Sequence, residues 1–114
     1  TATAAPIPAA PTAVPTGKHT YNQYVVRVPA RDRDPLVAHL KANGVGCEVY
    51  YPLSLHEQEC VKHLGYAAGE FPASEEAART VLALPMFPEI TEGQQRRVVE
   101  CVGQYAARVT RVAA

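Results

Sequence analysis

The sequence predicts a small α/β domain in which a few strands are covered by helices on one face. Three observations lead to this fold class. Residues 20–28 have the alternating, β-branched and aromatic pattern of a strand, a helical segment and a second strand-like segment follow, and a capping box precedes a long apolar helical stripe near the end. The 114 residues, 47% of them hydrophobic, suffice for one core.

The balance of charge argues against several classes of function. Eleven basic residues oppose eleven acidic ones, so no net field draws the protein to nucleic acid or to an anionic membrane. The cysteines Cys47, Cys60 and Cys101 lack the close pairs of zinc sites and redox dithiols, which indicates a reducing compartment. No apolar run approaches the roughly 20 residues of a membrane helix, and no secretory signal pattern opens the chain. We expect a soluble cytoplasmic protein whose partners are neither nucleic acid nor membrane.

The chain opens with a stretch that is not expected to fold. Residues 1–17 contain no charged side chain, and four prolines remove backbone donors and fix φ. Such a composition buries too little apolar surface to offset chain entropy. We therefore predict a Pro/Ala-rich linker or interdomain loop over 1–18 and a folded domain over 19–114. The first strand is predicted at 20–28.

A short helix is predicted next, over 35–43. Asp34 can accept hydrogen bonds from the first helical amides, and Pro35 loses nothing at the first helical position. Gly44 supplies the left-handed residue that commonly closes a helix. Strand-forming residues over 47–51, stopped by a proline, predict a second strand.

Helices dominate the rest of the prediction. Residues 56–64 end at a glycine and predict a short helix, and 74–81 predict another with glutamates near its N-terminal end. The segment 81–84 either continues that helix or turns into a short strand. The clearest helix follows Thr91, because Gln94 three residues later completes a capping box. Apolar residues then recur at helical spacing: Val98, Val99, Val102, Tyr105 and Ala106.

Taken singly, few residues indicate chemistry. The four histidines are scattered, and His39 is expected to be an exposed helical residue. His56, Glu59 and His63 lie one turn apart, which is an incomplete ligand set on a surface helix, so no metal ligand is assigned. Cys60 has the spacing for activation by His56, but it falls on the apolar stripe of its helix. A buried, inert thiol is therefore the expectation.

The segment at the end of the second predicted strand is the exception. It gathers two phenols, a hydroxyl and an imidazole: Tyr50, Tyr51, Ser54 and His56. Loops at strand ends often carry function. From the residues alone two interpretations stay open, a binding site or a pair of tyrosines that cap the core beside the proline that ends the strand.

At these residues the chain resembles the DegT/DnrJ/StrS family of pyridoxal-phosphate-dependent sugar aminotransferases. Four motifs carry the resemblance in the family's order: HTYNQYVVRV from His19, GVGCEVYYPLSLHEQ from Gly44, LGYAAGEFP from Leu64 and LALPMFPEIT from Leu82. The resemblance implies the carboxy-terminal small domain of a fold-type I aminotransferase. That domain is of α+β type, with a short, mostly antiparallel sheet covered by helices. In the last motif, Met86 and Phe87 are expected to pack in the core.

The resemblance also implies a reaction and a division of labour. Members of the family transfer an amino group from glutamate to a keto sugar carried on a nucleoside diphosphate, with pyridoxal phosphate as electron sink. A large domain supplies the lysine that binds the cofactor, and the small domain closes part of the cleft. Lys18, Lys41 and Lys62 stand in no matching motif, so neither a catalytic nor a cofactor-binding residue is assigned. We expect this chain alone to be inactive and its parent to be a homodimer.

By the same resemblance, Tyr50, Tyr51 and His56 become the substrate-binding candidates, because the matching motif faces the sugar nucleotide in such enzymes. Phenols suit the task, since they donate to hydroxyl or phosphate oxygens and stack on rings without adding charge. Tyr50 stands where many members carry His, Ser54 where many carry Pro, and Asn22 where His is frequent. The sugar preference therefore stays open.

Two other functions also stay open. The chain can be a free-standing nucleotide-sugar-binding or regulatory module without catalysis, which predicts measurable binding by the chain itself. It can also be an interaction module that self-associates through an apolar face.

Overall fold

The computed structural model describes residues 10, 17, 18 and 20–112. Most of the predicted linker 1–18 lies outside the described residues, as does His19, so the predicted domain boundary stays a prediction. Within the described part, the elements in chain order are β1 Tyr24–Arg27, α1 Ala30–Ala42, 3-10 turns at Leu55–Glu57 and Glu59–Leu64, α2 Pro72–Thr80, β2 Val81–Leu84 and α3 Glu92–Val112.

The strands β1 and β2 form a two-stranded antiparallel sheet, and the other edge of β2 is bridged by a single residue, Glu48. Tyr24 pairs with Leu84, and Arg27 pairs with Val81. On the outer side of β2, Ala83 exchanges two backbone hydrogen bonds with Glu48, at 3.0 and 2.8 Å. The segment 81–84, left open by its sequence, is therefore a strand, and the predicted fold class is confirmed.

The predicted second strand at 47–51 is reduced to a single bridge, between Glu48 and Ala83. The reason lies in β2, whose residues alternate between facing β1 and facing outward. In the antiparallel register, Tyr50 would pair with Val81, but the Val81 amide instead donates to the Ala77 carbonyl at the end of α2. In the other direction, Gly46 would pair with Pro85, which has no amide to donate. The ladder on that side therefore stops after one pair.

Helix α1 begins five residues earlier than the predicted start at Pro35. Asp32, Leu36 and Leu40 recur every fourth residue and all lie on its buried face. Pro35 sits inside the helix, but on the exposed side, where water can satisfy the carbonyl that its missing amide leaves unbonded. Burial of two leucines, each worth about 1.5–3 kcal/mol, outweighs the proline. The predicted end is confirmed, with Gly44 at φ +73°.

The core lies between the sheet, α1 and α3. Its buried members are Val26, Val28, Leu36, Leu40, Val45, Cys47, Leu82, Cys101, Val102 and Tyr105. Leu36, Leu40 and Cys101 are completely buried. These residues come from both ends of the described chain, so the core fixes the positions of β1, β2 and the two long helices.

Helix α3 begins as predicted. The Thr91 amide donates to Gln94 Oε1 at 2.8 Å, and the Gln94 amide donates to Thr91 Oγ1 at 3.3 Å. The predicted apolar stripe needs one correction, because Val99 is 70% exposed and Cys101 is buried in its place. The buried face follows 98, 101, 102 and 105, a period of 3–4 residues from which position 99 is displaced by a third of a turn.

The predicted helix at 56–64 is instead two short 3-10 turns, because Gln58 has an extended backbone (φ −73°, ψ 144°) that separates them. Cys60 is exposed, so the expectation of a buried thiol is wrong. Leu64, on the same predicted stripe, is also exposed. The apolar stripe predicted burial of these side chains, but no element among the described residues packs over them.

Three smaller expectations are also corrected. Phe87 is 42% exposed and Met86 only half-buried, because the two prolines around them carry the chain away from the core. His39 is half-buried, and its Nε2 lies 3.0 Å from the carbonyl oxygen of Cys101. Its ring is tilted against that of Tyr105, with centroids 5.8 Å apart. His39 thus joins α1 to α3.

Candidate functional site

Tyr50 and Tyr51 lie on a short span of chain between two anchors. The first anchor is the Glu48 bridge to β2. The second is Ser54, which is buried against α2. Between them the phenol-bearing residues are 54% and 64% exposed. The fold thus presents both rings on the surface while holding the chain on either side, and the interpretation of the tyrosines as core caps is not what the structure shows.

Tyr50 borders an open groove of ≈ 510 Å³ beside the outer edge of β2. The groove is lined by Asn22, Gln23, Lys41, Gly46, Cys47, Glu48, Tyr50, Ala83, Leu84, Pro85, Met86 and Phe87. Three of the four sequence motifs meet there. The lining offers amides, one phenol, one cation and one carboxylate around an apolar floor, a combination suited to a polar ring compound.

The thiol in this groove is not a nucleophile. Burial raises the pKa of Cys47, and it does so more strongly than the nearby Lys41 lowers it. The Sγ atom lies 4.0 Å from the carbonyl oxygen of Val37. A buried thiol whose pKa is raised behaves as a packing group, so Cys47 is assigned no chemical role in the groove.

His56, the third predicted site residue, faces a different part of the molecule from the Tyr50 groove. Its Nε2 lies 3.0 Å from Glu75 Oε1, and the side chain is only 7% exposed. The His56 ring packs against Phe71 with centroids 4.8 Å apart. Phe71 in turn contacts Tyr66 edge-on at 5.3 Å. The structure therefore brings Tyr50 and Tyr51 together and places His56 on the side of α2.

Glu75 is a buried carboxylate at the start of α2, and it joins two loops to that helix. Its Oε1 accepts a hydrogen bond from the Gly69 amide at 2.8 Å in addition to the contact with His56. Burial alone would raise the pKa of Glu75, but hydrogen bonds from the amides of Gly69 and Phe71 and from His56 outweigh it and lower the pKa. The carboxylate is thus held in its charged form.

Ser54 also joins this segment to α2. Its amide donates to Glu57 Oε2 at 3.1 Å, one half of a capping box that closes the first 3-10 turn. Its Oγ accepts a hydrogen bond from the Ser74 hydroxyl at 3.1 Å. A proline, the residue expected here from the resemblance, would lack both the amide and the hydroxyl. In this chain, the hydrogen bonds of Ser54 restrain the backbone where the fixed φ of a proline would otherwise do so.

Sequence reasoning missed the contributions of Lys41, Ser74 and Glu75. Lys41 stands in the last turn of a helix, where a basic residue is explained by the helix dipole alone. Glu75 stands in the first turn of α2, where an acidic residue is explained in the same way. Only the long-range contact with His56 distinguishes it, and no local pattern reveals that contact.

A second buried carboxylate serves the core. Tyr105 donates a long hydrogen bond of 3.4 Å to Asp32 Oδ1. Burial, followed by the charge of Asp32, raises the pKa of Tyr105 and keeps the phenol protonated. Among the described residues, Asp32 Oδ2 has no hydrogen-bond partner, although Arg31 Nε lies 3.5 Å away. This pair lies between α1 and α3 and does not border the Tyr50 groove.

The described residues do not fit a covalent site for pyridoxal phosphate. Such a site needs a lysine amine beside groups that bind the ring nitrogen and the phosphate. Lys18, Lys41 and Lys62 are all exposed, and Lys62 is paired with Glu59. In the same part of the chain, no three His, Cys, Asp or Glu side chains gather as metal ligands, and no helix has the length and apolarity to cross a membrane.

Comparison with known proteins gives the relatives of this chain. It is 47% identical over 87 residues to a "Pleiotropic regulatory protein" of Geobacillus stearothermophilus, a match that covers 76% of this chain and 23% of that protein. It is 34% identical over 86 residues to the dTDP-3-amino-3,4,6-trideoxy-alpha-D-glucose transaminase of Micromonospora megalomicea subsp. nigra, covering 75% and 22%. The chain therefore spans about a quarter of the length of these relatives.

Solved structures agree with this relationship. The fold matches S. venezuelae DesV, solved in complex with a ketimine intermediate, with a TM-score of 0.82 and 30% identity over 89% of this chain and 27% of that one. It also matches a DegT DnrJ EryC1 StrS aminotransferase from Brucella abortus, with a TM-score of 0.79 and 29% identity over 88% and 26%. The family model for the DegT/DnrJ/EryC1/StrS aminotransferases matches residues 3–103. The chain belongs to the DegT/DnrJ/EryC1/StrS aminotransferase family.

Proposed function

We propose that this chain forms one wall of the substrate pocket of a pyridoxal-phosphate-dependent aminotransferase. The enzyme moves an amino group from glutamate to a keto sugar carried on a nucleotide. The observation that carries the proposal is the groove beside β2, in which Tyr50 meets three of the sequence motifs of the family. The transaminase relatives support the substrate class, because the Micromonospora protein is named for a dTDP-linked amino sugar.

The two phenols are the proposed substrate contacts. An exposed tyrosine donates a hydrogen bond to a sugar hydroxyl or a phosphate oxygen, and its ring stacks on a pyranose or a base. Tyr50 and Tyr51 are more than half exposed although their chain is anchored on both sides. Because the backbone on both sides is already anchored, less of the chain has to be ordered when a ligand covers the rings.

Lys41 adds a cation to the Tyr50 side of the groove. A diphosphate carries negative charge that a lysine amine attracts, and the exposed amine is able to reach a ligand without burying its own charge. Glu48, on the same lining, is the opposing charge and would disfavour a phosphate close to it. We therefore expect the diphosphate nearer to Lys41 and the uncharged sugar nearer to Glu48.

His56 stays a predicted contact of the same substrate. Its Nε2 is committed to Glu75, so a direct contact would have to use Nδ1. The cofactor and its lysine belong, in this proposal, to the part of the relatives that this chain does not span. A homodimeric, cytoplasmic parent completes the proposal by analogy with the family.

Amination of a nucleotide-linked keto sugar tests the proposal. The natural full-length polypeptide that carries this chain, supplied with pyridoxal phosphate and glutamate, is expected to form an amino sugar from at least one of a panel of dTDP- and UDP-linked keto sugars. The product is detected by mass spectrometry. No amination of any member of the panel, in protein shown to be folded, contradicts the proposal.

A regulatory module that binds a nucleotide sugar without chemistry is the second candidate. The relative named as a pleiotropic regulatory protein, at 47% identity, is the observation that favours it. Calorimetric titration of the 114-residue chain with nucleotide sugars separates the two candidates. A wall of a pocket binds very weakly by itself, because one side of a cleft supplies few contacts against the cost of association. Tight binding by this chain alone favours the regulatory module.

A further inference from the structure

The span that carries Tyr50 and Tyr51 is held by few buried apolar side chains of its own. On its N-terminal side it is fixed by the backbone bridge of Glu48 to Ala83. On its C-terminal side neither 3-10 turn contains a buried residue. What holds that side is a set of side-chain contacts onto the first turn of α2. The geometry of the phenols therefore depends on those contacts.

We propose that Glu75 is a positioning residue that acts through His56 to fix Tyr50 and Tyr51. The ligand that the phenols meet rests on the proposed function, but the positioning itself does not. Glu75 has no role in the sequence motifs considered above, and it does not border the Tyr50 groove. Its effect on the site is therefore indirect.

The contacts of Glu75 support this role. A carboxylate buried to 8% exposure is costly unless it is hydrogen-bonded. Two of its partners, His56 Nε2 and the Gly69 amide, come from opposite ends of the segment 56–69. One carboxylate thus pins both ends of a 14-residue excursion to the same helical turn. Loss of the carboxylate frees both ends together.

The surroundings strengthen these hydrogen bonds. Phe71 packs on the His56 ring, and Tyr66 packs on Phe71, so water has little access to the pair. A hydrogen bond between a charged and a polar group is stronger where water is excluded. Ser54, which donates to Glu57 and accepts from Ser74, lies two residues before His56 and transmits the restraint toward Tyr51.

A catalytic interpretation of the imidazole–carboxylate pair is less consistent with the geometry. A general base needs its outer nitrogen within hydrogen-bond reach of substrate. The His56 side chain is 7% exposed, and the depression that it borders is lined largely by apolar residues: Leu55, Val61, Leu64, Tyr66 and Phe71. The polar groups on this lining besides His56 are the Ser74 hydroxyl, which donates to Ser54, and the Tyr66 phenol. A largely apolar surface of this kind suits a structural contact.

NMR spectroscopy of the 114-residue chain without any ligand tests the proposal. In Glu75→Ala, we expect the amide and ring signals of Tyr50 and Tyr51 to shift and their fast motion to increase, while the signals of Val102 and Tyr105 in the core stay in place. Opening of the segment should become roughly tenfold more frequent or more, the factor implied by loss of one hydrogen bond to a charged group. Gly69 amide exchange with solvent measures that frequency.

The chain offers a matched control. Glu76 is the adjacent residue on α2, but its side chain is half exposed and pairs with Arg79. Glu76→Ala should leave the tyrosine signals unchanged. Glu75→Gln keeps an acceptor without the charge and should give an intermediate effect, a graded rescue that overall loosening of the fold does not produce.

Two results overturn the proposal. Tyrosine signals that move no further in Glu75→Ala than in Glu76→Ala show that the carboxylate does not position them. If Glu75→Ala fails to fold, His56→Ala and Glu75→Gln decide, and unchanged tyrosine signals in both overturn it equally. Because no sugar nucleotide is present, these outcomes are independent of the calorimetric and amination results that test the proposed function.

Discussion

The sheet-and-helix core and the segment 50–71 are held by different forces. In the core, the side chains between β1, β2, α1 and α3 are at most 9% exposed. In the segment 50–71, five large hydrophobic or aromatic side chains are more than half exposed: Tyr50, Tyr51, Leu53, Leu55 and Leu64. Burial holds the first region, and a few polar contacts hold the second. The candidate site is therefore the part of the molecule that small chemical changes move most easily.

The largest expected effect is a cavity in the core. Leu40 is completely buried between α1, the sheet and α3, so Leu40→Ala should lower the free energy of unfolding by about 2–5 kcal/mol. Chemical denaturation followed by circular dichroism measures the loss. Val99→Ala is the control, because a side chain 70% exposed should cost less than about 0.5 kcal/mol. Equal losses in the two variants would contradict the assignment of the core.

A smaller effect is expected at the start of α3. Thr91→Ala removes the hydroxyl that accepts the Gln94 amide and should cost about 1 kcal/mol. Thr110→Ala removes a hydroxyl on the exposed face that donates a hydrogen bond to the carbonyl of Ala106, within the same helix. That control should change the unfolding free energy by less than about 0.5 kcal/mol. Denaturation midpoints of the two variants that coincide would argue against the capping box.

Acid should act on the segment before it acts on the core. The folded state lowers the pKa of Glu75, so the unfolded carboxyl binds a proton more readily. The stabilisation is complete above the ordinary glutamate value of 4.5 and is lost as pH falls through the lower folded value. Below pH 4.5, the Gly69 and His56 signals should shift before those of Val102. Glu75→Gln should abolish this early transition, and its persistence there would assign it to another group.

The smallest effect on overall stability is expected at Ser54. Ser54→Pro removes the hydrogen bond from the Ser54 amide to Glu57 and the hydroxyl that accepts from Ser74. The native φ of −62° already suits proline. The two lost hydrogen bonds, each worth about 0.5–1.5 kcal/mol, are offset in part by the stiffer unfolded chain, so the net loss should stay below about 1 kcal/mol. Thermal unfolding measures the net change. A large loss would mean that the polar contacts are a stronger anchor than the fold suggests.

Local patterns predicted the elements whose structure is decided locally. The capping box at Thr91 and the glycine after α1 act through neighbouring residues, and both are confirmed. The start of α1 was wrong because the buried face through Leu36 outweighs a proline, which only tertiary packing decides. The strand at 47–51 was wrong because the Val81 amide, which Tyr50 would need in β2, donates to the end of α2, a contact far along the chain.

The candidate site was predictable in part for the same reason. The exposed tyrosines stand at the end of a segment whose strand-forming residues are recognisable from the sequence. The contact of His56 with Glu75 joins residues 19 positions apart through side chains alone, and no spacing rule encodes it. Cys60 was placed wrongly because an apolar stripe predicts burial only where another element covers it.

Steady-state kinetics of the natural full-length polypeptide with both Tyr50→Phe and Tyr51→Phe is the most direct test of the central claim. Loss of two phenol hydroxyls should raise the KM for the sugar nucleotide roughly tenfold or more and leave the KM for glutamate unchanged. Tyr66→Phe, which keeps its contact with Phe71, should change neither. An unchanged sugar-nucleotide KM and turnover in the double variant would contradict the claim that these rings meet the substrate.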